Sequence, residues 1–250
     1  SDILQKQTSS GSLDAYQRGP ERAALIAAAV YEALRARGIR YISPPASFEN
    51  TGQKVRTTAQ VLDERFGTCI DLAVTYAACI EQTGLHPLIW LVDGHAFTGF
   101  MLHEESLAHT SLTETNTLVN LFESHKAIAV EALYYERGPE GAFRNAVDAA
   151  RRHFANPATL RAVIDVSTAR RDGVRPLPTA FEDTPEEAKV EQASSTTALL
   201  DLPPELKGRA TGDAVLDIAD MSPARVKKWK RSLLDLSTRN RLLNLRQSAQ

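Results

Sequence analysis

The chain has 250 residues, of which 43% are hydrophobic, and this is enough to bury a core and to exclude a wholly disordered protein. Its formal net charge of -2 at pH 7 gives the chain as a whole no attraction for nucleic acid or for an anionic membrane. No apolar stretch approaches the roughly 20 residues needed to cross a bilayer, so we expect no membrane association.

The first predicted elements are a polar lead-in and a long amphipathic helix. Residues 1–19 are polar, and Pro20 then opens an apolar pattern at helical spacing that ends at Gly38. A short strand is predicted over residues 39–42 and a short helix over residues 58–65.

A second long helix, predicted over residues 69–83, carries both cysteines of the chain. Cys69 and Cys79 are ten positions apart. This spacing places them roughly 15 Å apart along a helix axis, too far to pair. Unpaired cysteines are typical of a reducing compartment, so we expect a cytoplasmic protein.

Beyond this helix the pattern changes to strands. Residues 87–92 and 95–102 are apolar runs joined by an Asp-Gly dipeptide, which favours a tight hairpin turn. A third strand is predicted over residues 127–135, and a helix over residues 141–154 closes the unit.

These elements predict an α+β domain over residues 20–167. Residues 168–220 are acidic and contain Pro, Ser and Thr, so they are predicted to be a linker. Residues 221–250 are basic and contain an amphipathic helix, which we interpret as the truncated start of a following domain.

Three residue types needed for cysteine catalysis occur in order along the predicted domain. Cys69 lies at the start of a helix, where partial positive charge favours a thiolate. His95 lies on the strand after the hairpin turn, and Glu131 lies on the next strand. A thiolate, a base and a group that orients the base are the parts of such a catalytic site.

Each of these residues also has a simpler interpretation. A free cysteine is usually a small buried apolar residue, and we expect this for Cys79. Glu123 is a rival to Glu131 as the third member. Gln53 is a candidate oxyanion donor, and Asp71 is expected to stabilise the helix N-terminus or anchor a nearby loop rather than to transfer protons.

Two motifs carry a family resemblance. Gly-Thr-Cys-Ile-Asp-Leu-Ala at residues 67–73 and Gly-His-Ala-Phe at residues 94–97 resemble the core of the transglutaminase-like cysteine peptidase superfamily. The resemblance spans roughly residues 20–155 and implies a papain-like core, in which a central cysteine-bearing helix packs on an antiparallel sheet.

The resemblance also implies roles for the three candidate residues. Cys69 would be the nucleophile, His95 the general base and Glu131 the carboxylate that orients His95. The family usually has aspartate at the third position, so Glu131 departs from its pattern.

A narrower resemblance links the chain to a larger protein. Gly-Gln-Lys-Val-Arg at residues 52–56 and the segment from Trp229 to Leu245 resemble parts of large bacterial superfamily-one helicase proteins associated with phage defence. This implies that a helicase domain of the parent polypeptide is a partner. The chain has no phosphate-binding loop of its own.

The expected function is hydrolysis of peptide or isopeptide bonds in a protein or peptide substrate, without a cofactor. A transamidase uses the same acyl-enzyme, and a sensor module with little turnover that regulates the helicase is an alternative from another class. Any contact with nucleic acid would fall on the basic residues 221–250. We expect no metal, because the remaining histidines lack metal-ligand spacing with the cysteines: His86, His103, His109, His125 and His153.

Overall fold

The computed structural model describes residues 2–8, 11–43, 55–136, 138–176 and 201–206, all of which belong to a compact unit formed by residues 1–210. A second unit, residues 211–250, lies outside the described residues, as does the predicted C-terminal helix. The described part has a mixed architecture of α-helices and an antiparallel sheet, consistent with the predicted α+β class.

The helices and strands alternate irregularly along the chain. In order they are α1 Asp2–Thr8, α2 Pro20–Ala36, β1 Arg40–Tyr41, α3 Thr58–Glu64, β2 Phe66–Gly67, α4 Cys69–Glu81, β3 Pro87–Val92, β4 His95–Met101, β5 Ser111–Leu112, α5 Thr115–Glu123, β6 Ala127–Val130, α6 Phe143–Phe154, β7 Leu160–Asp165 and α7 Val166–Arg171. None of the helices in the described ranges is both long and apolar enough to cross a membrane.

Helix α2 begins and ends near the residues predicted from the sequence. Pro20 occupies the first turn, where its missing N–H costs nothing, and Gly38 follows the helix with a φ of 67°, a conformation that favours glycine. The alanine-rich face between them is fully buried and packs against α4.

The main sheet has five strands in the order β5-β7-β3-β4-β6, and every neighbouring pair is antiparallel. The predicted hairpin is confirmed, because Val92 pairs with His95 and leaves a two-residue turn of Asp93 and Gly94. Gly94, the second residue of the turn, has a φ of 70°, a conformation that favours glycine.

Strand β6 is shorter than predicted. The expected strand over residues 127–135 was wrong beyond Val130, and a 3₁₀ helix covers Ala132–Glu136. The physical reason lies at Glu131, whose N–H donates to the carbonyl oxygen of Ala146 in α6 instead of to a strand. The chain therefore leaves the sheet at Glu131, and this side chain lies at the sheet margin.

Strand β7 was not predicted, although it lies between β3 and β5 inside the sheet. It is followed directly by α7, which crosses the predicted domain boundary between residues 167 and 168. Residues 201–206, within the predicted linker, also pack on the domain: Leu202 and Leu206 are buried with α2, and Asp201 and Glu205 form ion pairs with Arg144 and Arg151 of α6.

The sheet is buried on both faces. Side chains such as Phe100, Ile128 and Val130 join the apolar cluster of α2 and α4 on one face. Alternate residues, including Phe97, Ala129 and Val163, join the cluster formed with α5 and α6 on the other face. Because residues alternate between faces along a strand, one strand can offer side chains to both layers.

Strand β4 has no room for a side chain at Gly99. A Cβ there would lie 2.4 Å from the carbonyl oxygen of Ile128 and 2.7 Å from Trp90 Nε1. We expect Gly99→Ala to lower the free energy of unfolding by about 3 kcal/mol or more, since neither the backbone of β6 nor a buried tryptophan can yield easily. Urea denaturation measures this change.

Gly173→Ala is the matched control for Gly99→Ala. Gly173 has a φ of 89° with nothing within 4 Å of a built Cβ, so this change costs backbone strain alone, about 1 kcal/mol. Equal losses for the two variants would contradict the expected clash at β4.

Candidate active site

Cys69 is the first residue of α4 and is half-buried. Thr68 caps the helix: its hydroxyl accepts from the Asp71 N–H, and the Asp71 carboxylate accepts from the Thr68 N–H at 2.9 Å. This capping box fixes where the helix begins. The first amides of a helix have no partner within it, so Cys69 lies in a local environment that favours negative charge.

The Asp71 carboxylate links the start of α4 to Arg56, and we call this set of hydrogen bonds the Asp71 brace. Its buried carboxylate accepts from the Arg56 N–H at 2.7 Å and from Arg56 Nη1 at 3.0 Å. Burial raises the pKa of Asp71, but the hydrogen bonds from Thr68 and Arg56 outweigh it and hold the pKa below its usual value. Asp71 therefore links the backbone and side chain of Arg56 to the helix N-terminus.

Gly67 packs closely against Asp71 and Leu72, in the first turn of α4. A Cβ on Gly67 would lie 2.9 Å from the Asp71 Cβ and 3.2 Å from Leu72 Cδ2. The absence of a side chain at this position lets the backbone before Cys69 pass directly over the first turn of α4.

The lowered pKa of Asp71 predicts how the brace depends on pH. An acid with a depressed folded pKa stabilises the fold above its unfolded pKa, and this stabilisation is lost as the pH falls through the folded pKa. We expect Asp71→Asn to lower the free energy of unfolding by about 1–3 kcal/mol at pH 7. The difference from wild type should shrink as the pH falls below the ordinary value of 3.8.

Urea denaturation of wild type and Asp71→Asn between pH 7 and pH 3 measures this difference. The two proteins are compared with each other at each pH. Glu64→Gln is the control. Glu64 also pairs with Arg56, but at a longer distance of 3.4 Å from Nε, and its side chain is exposed. A deficit of Asp71→Asn that stayed constant down to the lowest pH would show that the charge of Asp71 does not stabilise the fold.

His95 and Glu131 form the central pair of the site. His95 begins β4, Glu131 follows β6, and His95 Nε2 lies 2.7 Å from Glu131 Oε2. The Glu131 side chain is 5% exposed, and its Oε1 accepts from the Leu133 N–H at 3.2 Å. The carboxylate is thus held by its own backbone turn, and Nδ1 of His95 remains for other contacts.

A second histidine shares this carboxylate. His153, in the last turn of α6, places Nε2 3.2 Å from Glu131 Oε2. Its ring stacks on Phe97 at a centroid distance of 4.7 Å and an interplanar angle of 14°, and Phe97 also stacks on His95. Glu131 therefore accepts from two imidazoles that one aromatic ring helps to align.

Cys69 and His95 are coupled electrostatically. Burial raises the pKa of the Cys69 thiol, but interactions with His95 and with the N–H groups of Ala96 and Ile70 outweigh it and lower the pKa below the usual 9.0. Burial lowers the pKa of His95, but Cys69 and Glu131 outweigh it and raise the pKa to about 9. These shifts favour a thiolate beside an imidazolium.

One hydrogen bond ties the two elements that carry this pair. The buried Thr98 hydroxyl of β4 donates to the Ala73 carbonyl oxygen of α4 at 2.8 Å. Thr98 is three residues after His95, and Ala73 is four residues after Cys69. The bond therefore fixes the strand against the helix about one turn away from the reacting groups.

The other predicted residues lie elsewhere. Glu123 is exposed at the end of α5, so the structure places Glu131 and not Glu123 beside His95. Burial raises the pKa of Cys79, which packs against the core of α2 and α4. Gln53 lies outside the described residues.

His153 is the site residue that the sequence interpretation missed. The spacing between histidines and cysteines does not reveal a carboxylate partner, and His153 pairs with Glu131. A signal was available: Ala146, Ala149 and Ala150 form the buried face of α6, and helical spacing places His153 on that same face. His95, Glu131 and His153 have ligand atoms within 4.8 Å of one another, so the expectation of no metal site overlooked this group.

Searches of protein-family models, curated proteins and solved structures found no match to the chain. The resemblance to transglutaminase-like peptidases therefore stays a prediction from the short motifs around Cys69 and His95.

Proposed function

We propose that the chain is a cysteine hydrolase of peptide or isopeptide bonds, with Cys69 as nucleophile, His95 as acid and base, and Glu131 as the orienting carboxylate. The observation that supports it most directly is the 2.7 Å contact between His95 Nε2 and Glu131 Oε2, next to a cysteine at a helix N-terminus. This contact fixes the imidazole and leaves Nδ1 as the nitrogen that can exchange a proton with the thiol.

The proposed reaction proceeds in two halves. The Cys69 thiolate attacks the carbonyl carbon, forming a C–S bond and a tetrahedral oxyanion near the N-terminus of α4. The imidazolium of His95 then protonates the leaving amine as the C–N bond breaks. His95 next removes a proton from water, which attacks the thioester carbonyl. The C–S bond then breaks, which releases the acid product and restores the Cys69 thiolate beside the His95 imidazolium.

The shifts in pKa support this division of roles. A thiolate is a nucleophile without waiting for a base, and an imidazolium is ready to protonate a poor leaving group. Glu131 stabilises the imidazolium by charge as well as by a hydrogen bond, since its own pKa is lowered: burial raises it, and the contacts with His153, His95 and Leu133 outweigh burial.

Selective alkylation tests the proposed nucleophile without knowledge of the substrate. We expect iodoacetamide at pH 7 to label Cys69 at least about tenfold faster than Cys79, because one thiol has a lowered pKa and the other a raised pKa. Peptide mapping by mass spectrometry gives the two rates in one sample, so Cys79 is an internal control.

Equal, slow labelling of the two cysteines would contradict the proposal and favour a binding module without turnover. Reactivity alone does not show acyl transfer. A burst of one equivalent of p-nitrophenol from p-nitrophenyl acetate, with the acetyl group mapped to Cys69, tests the covalent step itself. A Cys69→Ala protein should give no burst.

A further inference from the structure

We propose that His95, Glu131 and His153 form a binding site for a divalent transition-metal ion of the zinc class. The three residues come from β4, from the turn after β6 and from α6. Both Nε2 atoms approach the same carboxylate oxygen, at 2.7 Å from His95 and 3.2 Å from His153. Two imidazoles and one carboxylate are a ligand set that zinc and related ions accept.

The spacing of the three ligand atoms suits a metal ion. Zinc bonds of about 2.0–2.2 Å at tetrahedral angles separate neighbouring ligand atoms by about 3.3 Å. The N–O distance of 3.2 Å from His153 is close to this value, whereas the 2.7 Å from His95 is a hydrogen-bond distance that must lengthen, and all three atoms lie within 4.8 Å of one another. Small side-chain rotations would seat an ion without movement of the strands or the helix.

The chemistry of occupation is an exchange of protons for a cation. Each imidazole releases the Nε2 proton to water and directs the freed lone pair at the metal, while the carboxylate oxygen changes from hydrogen-bond acceptor to ligand. The Leu133 N–H continues to hold the other oxygen of Glu131 at 3.2 Å, and Phe97 continues to hold the His153 ring. These contacts keep the ligands oriented without the metal.

The site is accessible from a cavity of about 290 Å³ that has all three ligands in its lining, together with Leu133, Ala149 and Arg152. A fourth ligand can therefore come from the cavity. Arg152 carries a positive charge that opposes a bare cation, so an anionic fourth ligand such as hydroxide or a carboxylate is favoured there. Cys69 does not line this cavity.

Metal at Nε2 would interrupt the proposed chemistry without touching the nucleophile. Glu131 and His95 would both be held by the ion, so neither would be free for the role proposed for it above. Occupation should therefore inhibit Cys69 reversibly. This consequence depends on the proposed function, whereas the metal binding itself does not.

The test uses the full chain, dialysed against EDTA and then against metal-free buffer. Co²⁺ is the probe, because its visible absorption reports nitrogen and oxygen ligands, and Zn²⁺ is added in competition. We expect one Co²⁺ per chain, displaced by Zn²⁺. His153→Gln and, as a second variant, His153→Ala should weaken binding at least about tenfold, since even the loss of an outer-shell partner costs roughly 10–100-fold.

Two control variants separate this site from others. Cys69→Ala should bind Co²⁺ like wild type, because the thiol is not a ligand. His103→Gln should also bind like wild type, because His103 is exposed in the loop after β4. Urea denaturation of every variant shows that it is folded.

Each outcome decides the proposal. Loss of binding in both His153 variants with retention in Cys69→Ala supports it. Loss in Cys69→Ala with retention in the His153 variants would place the ion on the thiol and overturn it, as would the absence of one-to-one binding in wild type.

The inhibitory consequence has a separate readout, the rate of Cys69 alkylation with Zn²⁺ divided by the rate without it. This ratio should be low in wild type, restored by EDTA, and near one in His153→Gln. If Cys69 proves unreactive in every protein, the proposed function fails, while the cobalt spectra still decide whether the metal site exists.

Discussion

Replacing His95 with alanine is expected to slow acetylation of Cys69 by p-nitrophenyl acetate about 10²- to 10⁴-fold, the range typical of a lost acid-base group. Two effects add. The imidazole that interacts with the thiol is removed, and the pKa of Cys69 then rises because the hydrogen bond and the charge of His95, which lower it, are both lost. Stopped-flow measurement of the p-nitrophenol burst gives the rate, and the mass of the protein gives the extent of acetylation.

The control for this variant is His103→Ala, which removes an exposed histidine in the loop after β4, at the opposite end of the strand from His95. It should be acetylated like wild type. Added imidazole should partly restore the rate of His95→Ala, since a small base can enter the space left by the ring. A His95→Ala protein that acetylated at the wild-type rate would contradict the role of His95.

Replacing Glu131 with glutamine is expected to have a comparable effect, a loss of about 10²- to 10⁴-fold in the same acetylation rate. The amide keeps the shape of the side chain but loses its charge, and with it the stabilisation of the His95 imidazolium. A neutral amide can also donate to Nε2, which would favour the wrong imidazole tautomer.

Glu123→Gln is the matched control, because it makes the same chemical change at an exposed position at the end of α5. It should leave the acetylation rate unchanged. A large loss in Glu123→Gln together with a small loss in Glu131→Gln would reverse the assignment and show that the carboxylate beside His95 does not orient it.

Local signals predicted the parts of the fold that depend on neighbours in sequence. Pro20 and Gly38 bound α2 where expected, and Asp93-Gly94 forms a two-residue hairpin turn. The start of the apolar helical pattern at Cys69 predicted that this residue lies at the N-terminus of α4. Each of these features is decided by conformational preferences within a few residues, which a single sequence displays directly.

The remainder depended on contacts between distant residues. The apolar run after Ala127 resembles one strand, yet Glu131 leaves the sheet because its N–H finds Ala146 of α6. The strand Leu160–Asp165 lies between β3 and β5 in the sheet. The order of strands in a sheet depends on distant contacts, so it cannot be predicted from a short stretch of sequence. His153 reaches Glu131 only because α6 packs against β6.

Residues 201–206 have a practical consequence for preparing the domain. Leu202 and Leu206 cover apolar surface of α2, and two ion pairs join this segment to α6, the helix that carries His153. A recombinant fragment that stopped after α7 would expose that surface to water and invite aggregation. Expression boundaries for crystallography should therefore be drawn downstream of Leu206.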